Sequence, residues 1–274
     1  MLFRSLALHG EDLRFNLDAR KWLVWSGRHW QSDEAGEVSR RARDVARQLY
    51  AEGECKKKDA RTAEETKQAD KLCEFARRCE SRDRLKATLE VASWAHEGTA
   101  IQAAALDADP WLLNCANGAV DLRSGSLRAH RQEDLQSVLL PVEYDASATC
   151  PAFLRFLDDI FAGGEELAGW LQKAIGYSLT GSTREQVFFV LHGGGSNGKS
   201  TLLDLLAELF GEYHRKTPTS TLLEQAGDRI PNDVARLCGA RMVTAEETTA
   251  GKRLAESLVK SMVGGDRLKA RVLN

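Results

Sequence analysis

The sequence predicts an α/β fold, with a mostly helical N-terminal part followed by a parallel α/β part that carries helices on both faces of its sheet. Three observations predict it. A glycine-rich run, Gly193-Gly194-Gly195-Ser196-Asn197-Gly198-Lys199-Ser200-Thr201, is entered from the apolar Val187-Phe188-Phe189-Val190-Leu191 and leaves into the helical pattern Leu202-Leu203-Asp204-Leu205-Leu206. A second apolar run, Met242-Val243-Thr244-Ala245, ends in Glu246-Glu247. Upstream, residues 33–105 read as charged, helix-forming sequence with few strand or turn signals.

Taken in order, Trp22-Leu23-Val24-Trp25-Ser26-Gly27-Arg28-His29-Trp30 predicts a hairpin turning at Ser26-Gly27. Its three tryptophans could stack nucleic-acid bases, but packing the hairpin onto its own domain is the expected use. Helices follow, and Lys56-Lys57-Lys58 would suit phosphates were it not interleaved with Glu52, Glu54, Asp59, Glu64 and Glu65, which predict a solvated helical surface. Short strands return around Asn117-Gly118 and Gly125. After a linker at 142–149 come helices at 152–161 and 166–179, separated by Gly163-Gly164. The run 187–191 predicts a buried strand, the glycine-rich loop opens a helix near Gly198, 242–245 predicts a second strand, and 254–262 a final helix. No repeat or low-complexity segment interrupts the chain. The expected domains are 1–145 and 146–274.

The loop carries the chemistry. Its spacing is G-x-x-x-x-G-K-S, which average residue usage would produce by chance in about one chain in a hundred of this length. Glycines let successive backbone N–H groups turn toward one phosphate, and the helix start adds its positive end. Lys199 then reaches the β- and γ-phosphates and the Ser200 hydroxyl sits on Mg²⁺. A plain glycine-rich turn is the competing reading, and the strand before and helix after disfavour it. The expected ligands are ATP and Mg²⁺, held by Gly193 through Thr201. Such a site needs one acid in the metal shell and a second to orient or deprotonate the attacking water. Glu246 is assigned to the metal and Glu247 to the water, with Lys199 as the other catalytic residue. An isolated glutamate pair is ordinarily solvated surface; its place after a strand beyond the loop favours the site.

A third segment reads Lys260, then Val263-Gly264-Gly265-Asp266-Arg267-Leu268-Lys269-Ala270-Arg271. By itself it could be a helix cap followed by an edge strand. In this order, however, the three segments resemble the superfamily-3 helicases of viruses, phages and plasmids. Those have the phosphate loop, the paired acids and a K…GGD…AR segment in the same sequence. The resemblance implies an AAA+-like nucleotide domain, an ATP-driven helicase working as a ring, hexameric once completed by the missing C-terminal region, and DNA contacts from Lys260, Lys269 and Arg271 beside a pore hairpin. Upstream, Tyr144-Asp145-Ala146, Cys150-Pro151-Ala152-Phe153 and the run from Leu171 to Gly181 resemble the block before the loop in phage and plasmid primase-helicases. Asn114-Cys115-Ala116-Asn117-Gly118-Ala119-Val120-Asp121-Leu122 with Gly125 resembles the end of their poxvirus-type N-terminal domain.

The resemblance further implies a strand after the GGD segment that senses the γ-phosphate, and an arginine offered to a neighbouring subunit. Neither is visible before Asn274, so the expectation is a helicase subunit incomplete at its C-terminus and without priming activity. Two functions stay open: an ATP-dependent DNA helicase subunit of phage or plasmid replication acting on single-stranded or forked DNA, or a nucleotide-binding fragment without unwinding of its own.

Composition agrees without deciding. The 274 residues suffice for one large or two modest cores, and a net charge of −2 gives no bulk attraction to DNA, so any DNA contact is local. The 6 cysteines lack paired metal-ligand spacing and fit reduced thiols of a cytoplasmic protein. No apolar stretch reaches the length of a membrane span, and the start is too short and too soon charged for a signal peptide. The expected setting is the cytoplasm of a bacterial or phage-infected cell.

Overall fold

The computed structural model describes residues 10–95, 99–195, 197–224, 232–245 and 253–265. The chain is a mixed α/β protein that gathers into two compact units. One comprises Met1–Ala108 with Arg131–Ser137; the other comprises Asp109–His130 with Val138–Asn274.

In the first unit, β1 (Leu13–Asn16) pairs antiparallel with β2 (Lys21–Trp25), and β2 pairs antiparallel with β3 (Trp30–Ser32). A short β4 (Ala100–Ile101) adds in parallel beside β1. The expected hairpin turn is present: Gly27 takes φ 89°, a left-handed value, and Ser26 N–H donates to His29 O at 3.0 Å. The tryptophans serve packing. Trp30 is 1 % exposed, its Nε1 donates to Gln132 O at 3.0 Å, Trp25 lies against it, and the Arg14 guanidinium covers it at 4.7 Å.

Three helices complete this unit: α1 (Glu37–Asp59), α2 (Ala63–Cys79) and α3 (Arg82–Ala95). The α2 start is fixed by a capping box, in which Thr62 accepts from Glu65 N–H while the Glu65 carboxylate accepts from Thr62 N–H. Helices α1 and α2 approach closely because Gly53 lacks a side chain; a Cβ there would stand 2.5 Å from Cys73 Sγ. The lysine trio at the end of α1 is a surface of ion pairs, Lys56 with Glu52 at 2.8 Å and Lys57 with Asp70 at 2.6 Å. Residues 131–137 return to this unit because the Asp107 carboxylate accepts from both the backbone N–H and the hydroxyl of Ser137.

The second unit contains an antiparallel meander of β5 (Leu112–Cys115), β6 (Gly118–Asp121) and β7 (Ser126–Arg128). Helices α4 (Pro151–Phe161), α5 (Glu165–Thr180), α6 (Lys199–Phe210) and α7 (Glu256–Gly264) join it. A parallel pair, β8 (His214–Thr217) with β9 (Met242–Ala245), runs in the register His214 opposite Met242. One core unites the meander with three of the helices: Leu113 and Val120 of the meander, Leu157 of α4, Leu171 of α5, and Leu202 and Leu206 of α6. Helix α7 begins two residues later than the spacing predicts, because Leu254 is drawn into a bridge with Leu223.

One expectation fails. Residues 187–191 do not form a buried strand: they have no ladder partner, and their exposure runs from 38 % at Leu191 to 73 % at Val190. A strand exists only through its neighbours. Here β8 and β9 pair with each other, and no described strand lies alongside 187–191. The segment is extended and touches α5 through an edge-on contact of Phe189 with Trp170 at 5.5 Å. Among the described residues no helix is long and apolar enough to cross a membrane.

Candidate functional site

The glycine-rich loop closes onto the start of α6 as a phosphate cradle requires. Gly198 is the N-cap residue with φ 78°, a left-handed conformation that glycine adopts without strain, and its carbonyl accepts from Leu202 N–H at 2.9 Å. Helix α6 therefore begins at Lys199, and its first unpaired N–H groups face the loop, where an anion is favoured. The Lys199 ammonium donates to Gly193 O at 3.1 Å, Gly194 O at 3.3 Å and Asn197 Oδ1 at 2.7 Å. It thus lies across its own loop rather than out in solvent. Around Gly194 and Gly195 the space is open, since a Cβ on either would meet nothing within 4 Å. Ser200 and Thr201 lie exposed in the first turn. The residues fit a polyphosphate: backbone donors, a cation and an exposed hydroxyl on one loop.

The loop thus brings together Gly193, Gly194, Gly195, Asn197, Gly198, Lys199, Ser200 and Thr201; Ser196 lies outside the described residues. Strand β9 ends at Ala245, immediately before Glu246 and Glu247, and both glutamates lie outside the described residues. Lys260 is on α7, exposed, with its ammonium 3.2 Å from the Glu256 carboxylate; Lys269 and Arg271 lie outside the described residues. Among the described residues no cluster of histidine, cysteine and carboxylate side chains could hold a metal on its own. The described cysteines are free thiols, and burial pushes the Cys115 thiol above its usual range, which leaves it unreactive.

His214 Nε2 of β8 and Thr244 Oγ1 of β9 are 2.8 Å apart and tie the parallel pair together. Burial, then the neighbouring Arg215 and Lys216 charges, lowers the His214 pKa, so the folded chain resists protonating it. An unfolded histidine titrates near 6.5, so below about that pH the unfolded chain takes up a proton that the folded one resists. Stability is expected to be fully present above about pH 6.5 and to fall as pH drops toward the lowered folded value. Denaturant titrations from about pH 7 to 5 should show a shallower decline in His214→Gln than in the wild type; equal slopes would remove His214 as the source.

Several residues that carried the upstream resemblance have structural work in the second unit. Asn114 donates to Val138 O at 3.0 Å, and Asn117 clasps the Tyr144 backbone through bonds of 2.9 Å in each direction. The Tyr144 hydroxyl reaches Gly125 O at 2.9 Å, and the Arg128 carbonyl sits where a Cβ of Gly118 would go. Pattern reading missed Arg241. Its guanidinium donates to Leu179 O at 2.7 Å and Leu112 O at 2.8 Å while stacking 4.5 Å from the Tyr213 ring. It satisfies a carbonyl at the end of α5 and pins that helix to β5. No spacing in the sequence announces such a clamp.

Comparison with known proteins agrees with the upstream half of this picture. Residues 3–162 match the family described as "D5 N terminal like". Three viral proteins named "Putative helicase" are similar to the chain. One, from Acanthamoeba polyphaga mimivirus, is 26% identical over 174 residues, covering 61% of this chain and 18% of that protein. Another, from Invertebrate iridescent virus 3, is 28% identical over 176 residues, covering 61% and 19%. The third, from Invertebrate iridescent virus 6, is 25% identical over 175 residues, covering 61% and 18%. The matched stretch is therefore a small part of each relative's length.

Proposed function

The chain belongs to the D5 N terminal like family, and from that premise we propose that it is part of an ATP-dependent DNA helicase of superfamily 3 serving phage or plasmid replication. The single observation that carries the proposal is the loop at 193–201, turned by Gly198 into the start of α6 with the Lys199 ammonium lying across it. In this reading the loop N–H groups and Lys199 hold the β- and γ-phosphates of ATP. Ser200 and Glu246 hold Mg²⁺, which neutralises phosphate charge, and Glu247 orients the attacking water. The residues to 145 form the family's N-terminal module and those from 146 the nucleotide module. Subunits assemble as a ring, a hexamer in the proposed form, in the cytoplasm of the infected or host cell. The names of the viral relatives support a helicase, and the order of the three C-terminal segments supports superfamily 3.

Single-stranded DNA is the proposed partner, contacted by Lys260, Lys269 and Arg271. A chain with net charge −2 must bind DNA through local cations. Each lost phosphate contact should flatten the salt dependence of single-strand binding by about 0.7 in the log–log slope. Fluorescence titrations across salt, with Lys260, Lys269 and Arg271 neutralised together, test this. A larger effect from neutralising Lys56, Lys57 and Lys58 would move the DNA contact to α1. The function itself is tested by Mg-ATP calorimetry with steady-state ATP turnover, with and without single-stranded DNA. Tight binding with DNA-stimulated turnover supports the helicase. Binding without turnover supports the nucleotide-binding fragment instead, and no binding removes both.

A further inference from the structure

We propose that helix α4 is the rear wall of the phosphate loop, and that Phe156 and Ile160 are positioning residues that set the loop's affinity for a nucleoside triphosphate. The inference rests on the nucleotide reading of the loop and adds residues that lie outside its motif. A Cβ built on Gly198 would stand 2.6 Å from Ile160 Cγ2 and 3.2 Å and 3.3 Å from Phe156 Cε2 and Cζ. Both side chains therefore press directly on the Gly198 backbone. Gly194 and Gly195 have nothing within the same reach, so the wall stands at the one glycine where loop becomes helix.

That contact matters because of what glycine is. With no Cβ, Gly198 takes positive or negative φ with similar ease, so its own chemistry does not hold it at 78°. Its surroundings must. On one side its carbonyl is bonded by Leu202 N–H at 2.9 Å; on the other, Ile160 and Phe156 fill the space beside its Cα that a Cβ would take. This φ sets where the first N–H groups of α6 point, and those groups are the phosphate donors. Preorganised donors bind more tightly because their ordering cost is met before the ligand arrives.

The wall is itself firmly mounted. Phe153, Phe156, Leu157 and Ile160 recur at helical spacing along α4, and Phe153 stacks on Phe156 with centroids 6.4 Å apart. Leu157 is buried in the core that contains Leu202 and Leu206, the apolar face of α6. Helix α4 thus braces both the loop and the helix that the loop opens. Its residues close the stretch matched to the family, 3–162, so that stretch extends to the phosphate site.

The test separates positioning from simple destabilisation. Ile160→Ala and Phe156→Leu are each expected to weaken Mg-ATP binding about tenfold in calorimetry, with unchanged stoichiometry. Leu113→Ala, in the same core but on β5, should lower the melting temperature with unchanged affinity of the folded protein. Should Ile160→Ala fail to fold, Ile160→Val and Phe156→Leu carry the same comparison. Wild-type affinity in the Ile160 and Phe156 variants overturns the role of α4. Failure of the wild-type chain to bind Mg-ATP overturns the nucleotide reading itself, and this inference with it.

Discussion

Replacing Lys199 by alanine is expected to weaken Mg-ATP binding by about 2–4 kcal/mol, or about thirty- to a thousandfold. The size follows from where the ammonium sits. It is held within hydrogen-bond reach of Gly193 O, Gly194 O and Asn197 Oδ1, at the mouth of α6, so it meets a phosphate without first being collected from solvent. Bonds between an ammonium and a phosphate are charge-assisted and among the strong ones. Removing the lysine leaves phosphate charge facing backbone donors that carry only partial charge. Exposed ion pairs elsewhere, such as Lys57 with Asp70, are weakened by solvent and salt, so an effect of the larger size cannot come from general surface charge. Titration calorimetry with Mg-ATP decides it, and equal affinity in wild type and Lys199→Ala would falsify the assignment.

Much of the local structure is legible in the sequence because it is set locally. Ser26-Gly27 announces its hairpin, Gly163-Gly164 separates α4 from α5, and the pattern after Gly198 gives α6 its start. What depends on distant partners is not legible. The apolar run 187–191 satisfies every local criterion for a buried strand, yet a strand also needs a neighbour, and the sequence does not say which segment supplies one. The return of residues 131–137 to the first unit is hidden for the same reason: it depends on Asp107 receiving Ser137, thirty residues later in the chain. Close approaches leave only a weak trace. Gly53 reads as a poor helix residue until Cys73 is seen against it, and Gly198 reads as a turn residue until Ile160 closes the space behind it. At the candidate site, the loop is legible because its chemistry fixes residue types at consecutive positions. Its support from α4 is not, since any apolar side chain of suitable size could fill that role.

Glu247→Gln is expected to leave nucleotide affinity close to wild type while lowering ATP turnover by about 10²–10⁴-fold. Glutamine keeps the size and shape of glutamate, but its amide cannot accept the proton that an attacking water must lose. Binding does not involve that proton; hydrolysis does. Glu246→Gln should behave differently. It removes negative charge from the proposed Mg²⁺ shell, so the metal concentration needed for half-maximal binding should rise along with the loss of turnover. The division follows from adjacency at the end of β9, which runs parallel to β8 and stops at Ala245. Two adjacent carboxylates supply the proposed site with one acid for the metal and one for the water, and one position cannot serve both. In α/β sheets the ligand lies beyond the carboxyl ends of parallel strands, which is the end where this pair stands. Steady-state turnover with single-stranded DNA, measured across Mg²⁺ concentrations for both variants, separates the roles. A normal rate restored to Glu247→Gln by excess Mg²⁺ would transfer the metal to Glu247. If both variants change only their metal requirement, neither glutamate acts on the water, and the proton acceptor must be sought elsewhere.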